Sequence, residues 1–172
     1  RRLMPVNHTR AVDSARLLGF PFICLHTVAD NMVASYLQRL FDDKKPFTVS
    51  DVIDMLKQIP EYRHAMGHGA GPKILLGSKE RKAGKIFVDM TGGTEGSKEI
   101  FASMAQSGIN TIVAMHLSDD HRKEAEKNHI NVVIAGHISS DNVGLNLLFD
   151  AISKDSPINF LECSGFKRIS RL

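Results

Sequence analysis

The chain has 172 residues, 42% of them apolar and 24% charged, and carries a formal net charge of +3. That length is enough to bury one sizeable core and does not call for two domains. Lys and Arg are spread along the chain rather than clustered, so nucleic acid is not the expected partner.

In chain order, the apolar pattern predicts a helix from Thr9 to Leu18 stopped by Gly19, then a strand PFICLH. A helix follows from about Asp30 to Phe41, with Met32, Val33, Tyr36, Leu37 and Leu40 on one face. TVSDVIDMLKQI reads as a short helix entered through Thr48 or Ser50 as cap, ending before Pro60. Residues 46–72 are a short connection between two halves, closing in the Gly-rich loop PEYRHAMGHGAGP.

The second half opens with short strands around KILLGS and GKIFVDM, a Gly-rich turn TGGTEGS, and a helix from Lys98 to Gln106. A strand NTIVAMH, a helix across DDHRKEAEKN, a strand NVVIAGH, a helix DNVGLNLLFDAI and a last strand near INFLEC complete the chain. Strands alternating with helices, several of them continuously apolar, predict one α/β domain over residues 1–172, with mostly parallel sheets flanked by helices. In such sheets ligands collect at the carboxyl ends of the strands. Residue 1 is Arg and no strand precedes the first helix, so an upstream segment is expected.

Three of the predicted strands end in the same chemistry. His is followed by Asp at the fourth position in HTVAD (His26, Asp30), in HLSDD (His116, Asp120) and in HISSD (His137, Asp141). HTVADNMV and HISSDNVG also share Asn in register, which reads as an internal duplication with two similar halves facing a shared crevice. Two imidazoles and two carboxylates in one crevice suit zinc, manganese or ferrous iron better than calcium. The alternative is that each Asp caps its helix while the His packs nearby.

The second half, from IFVDMTGGTEGSKEIF to VVIAGHISSDN, resembles the Nif-three-like family of dinuclear-metal proteins. That family has a Gly-rich turn after a strand, a His-bearing helix and a closing Gly-His-x-x-x-Glu motif, and LHTVADN is similar to its His-Thr-x-x-Asp motif. The resemblance runs from about Pro21 to Asp150. It implies Asp30 and His137 as metal ligands, with Asp141 standing where the family usually has Glu. It also implies His26 lining the pocket and His121 on the helix beside it, the two candidates for moving a proton. The family's adjacent His-His pair has no counterpart; Asn7 and His8 do not supply it.

What the resemblance implies for function is a protein with two divalent metal ions, zinc, manganese or iron, and a hydrolase activity of the type 2 GTP cyclohydrolase kind on a nucleotide-like small molecule. It also implies a homo-oligomer, of the hexameric-ring kind. A non-catalytic metal-binding scaffold or regulatory protein is the competing expectation.

The remaining features point less far. DMTGGTEGSK matches neither the P-loop nor the dinucleotide fingerprint, and a tight strand-to-helix turn is expected over a phosphate site with Lys98. His64 and His68 are expected on a surface loop, and Cys163 with Ser164 has no nucleophile context. Two cysteines without paired spacing fit a reducing, cytoplasmic setting. No run approaches the ~18 apolar residues of a membrane span, so no membrane partner is expected.

Overall fold

The computed structural model describes residues 9–92 and 96–172, and within them every strand comes from the second half of the chain. Helices α1 (Arg10–Leu17), α2 (His26–Lys44), α3 (Val49–Gln58) and α4 (Pro60–Met66) precede strands β1 (Lys73–Leu76) and β2 (Lys85–Asp89). Then come α5 (Ile100–Gln106), β3 (Ile109–Ala114), α6 (Asp119–Lys127), β4 (Asn131–Ile134) and α7 (His137–Ser153). The strands form one sheet in the order β1-β4-β3-β2. β2, β3 and β4 run parallel, and β1 lies antiparallel against β4.

Period-two alternation sends successive side chains of this sheet to opposite layers. Ile86, Val88, Val113 and Val133 face a core shared with Val33, Leu37 and Phe41 of α2, with α3, and with Val143 of α7. Ile112, Ala114 and Val132 face a second core built with Phe101 of α5 and Ala125 of α6. The result is the α/β architecture expected, with helices on both faces.

On α2 the buried positions Ala29, Val33, Leu37 and Phe41 recur every fourth residue and make one stripe toward the sheet. Next to that stripe, the Gln38 amide donates to the Ile86 carbonyl (3.1 Å) and accepts from the Val88 N–H (3.0 Å). Because β2 is an edge strand, this side chain takes the place of a strand neighbour. It also aligns α2 along β2 so that residues four and eight positions earlier approach the carboxyl end of that strand. α3 is capped by Thr48, whose hydroxyl accepts from the Asp51 N–H while the Asp51 carboxylate accepts from the Thr48 N–H, a capping box.

Several predicted elements differ. PFICLH is not a strand: Phe22 and Ile23 are exposed, and no described strand lies beside them to take their backbone groups. PEYRHAMGHGAGP is not all loop, because Pro60 occupies the first turn of α4, where a missing N–H costs nothing, and Tyr62 is buried. INFLEC forms no strand either.

The C-terminal segment is held instead by side chains one turn apart on α7. Asn142 donates to Gly165 O and accepts from Lys167 N, and Asn146 donates to Lys167 O and accepts from Ile169 N. Asp150 accepts from Arg171 N. A helix face thus provides the alternating donors and acceptors of a strand edge, and Arg171 reaches on to form a two-pronged ion pair with buried Glu61 (2.8 and 2.7 Å).

Candidate functional site

α2 and α7 cross with their backbones in near contact. Gly144 lies against the Ala29 backbone, leaving no room for a β-carbon. Both helices begin at the His of a His-Asp pair, four residues ahead of the expected starts for Asp30 and Asp141. At α7 the chain turns sharply after β4 through Gly136, whose φ of 108° favours glycine. The Tyr62 hydroxyl and Ser140 are hydrogen-bonded at 2.9 Å, and Ser140 donates to Gly136 O, which pins the start of α7 to α4. Burial pushes the Tyr62 pKa upward, so the phenol stays neutral.

Each pair is therefore one helical turn with two facing side chains. His26 Nδ1 lies 3.0 Å from Asp30 Oδ2, and that oxygen also accepts from the Gly92 N–H (3.2 Å). His137 Nε2 is 3.8 Å from Asp141 Oδ2, outside hydrogen-bond range. Neither helix has a side-chain cap hydrogen bond, so the capping alternative does not describe either Asp.

Gly92, just past β2, brings the pairs together. A β-carbon there would stand 2.9 Å from His137 Nε2 and 3.5 Å from His26 Cε1. The Asp141 carboxyl titrates above its ordinary value, chiefly from burial and further from the nearby Asp30 charge, against the opposing pull of His137 and His26. Four side chains from two helices thus share one electrostatic environment.

The third pair behaves differently. Asp120 is exposed on α6 and faces Lys123 at 3.8 Å, while His116 packs on His137 with ring centroids 5.1 Å apart. His121 holds the Gly-rich turn: its Nε2–H donates to Gly96 O (2.8 Å) and its Nδ1 pairs with the Ser118 hydroxyl (2.8 Å). Residues 93–95 of that turn, like Asn7 and His8, lie outside the described residues.

Sequence reasoning missed Asp89 and Thr91. Both border the crevice with His26 and Asp30. Thr91 donates through N–H and hydroxyl to Asp89 Oδ1 (3.1 and 2.6 Å), fixing the carboxylate at the carboxyl end of β2. An Asp closing an apolar strand was the available signal.

For a metal, the donors around Gly92 are right in kind, with imidazoles and carboxylates together. Among the described residues, no three His, Cys, Asp or Glu side chains form a ready metal-holding group. His64 and His68 are exposed and meet edge to face at 5.0 Å. No described helix is long and apolar enough to cross a membrane.

A parallel-stranded α/β protein with His-Asp pairs gathered at a strand end is the class these features define. The chain is similar to the crystal structure of a NIF3 superfamily protein from Sphaerobacter thermophilus, with a TM-score of 0.64 and 26% identity over 87% of this chain and 55% of that one. The chain is Nif-three-like in fold. It spans about half the length of that relative. No family model matches the chain, and no curated protein does.

Proposed function

We propose that the chain binds divalent metal through Asp30, His137 and Asp141 and acts as a metal-dependent hydrolase on a nucleotide-like substrate. The observation that carries this reading is the meeting of two His-Asp pairs from separate helices at side-chain-free Gly92. Two ions of zinc, manganese or iron are the expected complement, and when bound they supply a water acidic enough to attack at neutral pH.

The chain's own residues orient and hold protons. His26 Nδ1 faces Asp30 Oδ2 at 3.0 Å, which leaves Nε2 as the atom that takes or gives a proton. His121, the second candidate, moves a proton only on releasing Gly96 or Ser118. Its standing task is to hold the Gly-rich turn against α6.

The competing reading is a metal-binding scaffold or regulatory protein without turnover, assembled as a homo-oligomer. The exposed apolar side chains of Leu17, Leu18, Phe20, Phe22 and Ile23, close along the chain, favour an interaction surface there. Incubation of metal-loaded protein with a nucleotide panel decides between the two. Turnover that disappears in Asp30→Ala and His137→Ala supports the hydrolase; bound metal with no turnover supports the scaffold.

A further inference from the structure

Beside the His-Asp crevice lies a cavity of about 190 Å³ between the sheet and α5. Phe87 and Ile112, paired across β2 and β3, form its sheet wall, and Ile100, Phe101 and Met104 form its helix wall. Its polar lining includes Asp89 and His116. Asp89 and Thr91 border this cavity and the crevice with His26 and Asp30 alike, and His116 packs on His137. The two spaces therefore share a wall.

The size and lining restrict what fits. Sites that enclose a whole drug-sized ligand measure roughly 300–1,000 Å³, so this cavity takes one ring system rather than an entire ligand. Two phenyl rings and a thioether favour a flat, polarisable group. None of the described lining residues is Lys or Arg, and the Asp89 carboxylate repels anions, so phosphate is excluded. A purely alkyl group is also disfavoured, because it would strip water from a carboxylate without replacing its hydrogen bonds. With Oδ1 held by Thr91, the other carboxylate oxygen is the acceptor left for a ligand.

We infer that this cavity holds the ring of a planar heteroaromatic ligand, with Asp89 accepting hydrogen bonds from the ring's N–H edge and the remainder of the ligand in the His-Asp crevice. The inference names the ring class of the substrate and rests on reading that crevice as a substrate site.

The test uses chelator-treated full chain with labelled Ile and Met methyl groups, titrated with isocytosine, whose ring edge offers adjacent N–H donors, and with pyrimidine, which has none. Isocytosine is expected to shift the methyl signals of Ile100, Met104 and Ile112. Pyrimidine is expected to bind at least about tenfold more weakly, as is isocytosine to Asp89→Asn, the loss typical of a hydrogen bond to a charged group. Met104→Trp, which fills the cavity, should abolish the shifts while the protein stays folded.

Equal binding of the two rings, full affinity in Asp89→Asn, or no shift at millimolar isocytosine would overturn the inference. The same titration of His137→Ala separates it from the metal reading. Unchanged isocytosine shifts in that variant support a ring site that stands without metal; loss of the shifts in a folded His137→Ala chain contradicts it.

Discussion

Gly144 of α7 rests on the backbone of Ala29 of α2, and a methyl group at residue 144 would overlap the Ala29 carbonyl oxygen. Asp30 is the next residue after Ala29, and Asp141 lies three before Gly144. The closeness of the helices at this crossing therefore sets the spacing of the two His-Asp pairs. Gly144→Ala is expected to cost about 1–3 kcal/mol, the usual range for overpacking, and to weaken metal binding although residue 144 carries no ligand atom. Denaturant unfolding and metal titration of the variant check both effects together.

Gly92→Ala makes the opposite prediction for stability. Its added carbon meets the tip of the half-exposed His137 ring at 2.9 Å and the edge of His26 at 3.5 Å, both ends of side chains that can move. Unfolding should change little, within about 1 kcal/mol, while the His137 imidazole signal in an NMR spectrum shifts and metal affinity falls. Unchanged affinity would separate residue 92 from the site.

Arg171→Ala leaves Glu61, almost wholly buried, with the Asn146 amide as its remaining partner among the described residues. Removing one member of a buried ion pair costs on the order of 3 kcal/mol. Amide hydrogen exchange should show residues 165–171 released from α7, because their backbone bonds to Asn142, Asn146 and Asp150 act together with that pair.

Asp141 gives the chain a pH signature. Its folded pKa is raised, mainly by burial, so the native state keeps a proton that the unfolded chain has lost. The associated stability is full below the ordinary carboxylate value of about 3.9 and is lost as pH rises through the folded value. In metal-free protein, Asp141→Asn should therefore be at least as stable as the parent near neutral pH and should flatten the decline above the acid range. Thermal unfolding of both forms across that range measures the difference.

Much of this organisation was legible in the residues, and the failures share a cause. The apolar runs in KIFVD, INTIVA and NVVI marked three parallel strands, and the His-Asp repeat marked α2 and α7 as the elements carrying the candidate site. PFICLH and INFLEC were apolar enough for strands, yet a strand needs a neighbour, and local pattern does not say whether one exists. Side-chain amides filled that role for β2 and for the C-terminal segment through Gln38, Asn142 and Asn146, which no periodicity reveals. The repeat also overcounted. His116 joined His137 rather than Asp120, because α6 turns Asp120 to solvent. Gly92 was hidden because its importance lies in what crosses it from elements distant in sequence, whereas Asp89 carried a local signal, an Asp closing an apolar strand.

The central claim is that the paired His and Asp side chains around Gly92 hold metal. Elemental analysis of the purified chain beside Asp30→Ala and His137→Ala, prepared identically, tests it most directly. The account predicts about two divalent ions per chain, as in two-metal sites, lost from both variants. Absence of bound metal after loading with zinc, manganese or ferrous iron, or equal metal content in all three proteins, would contradict it.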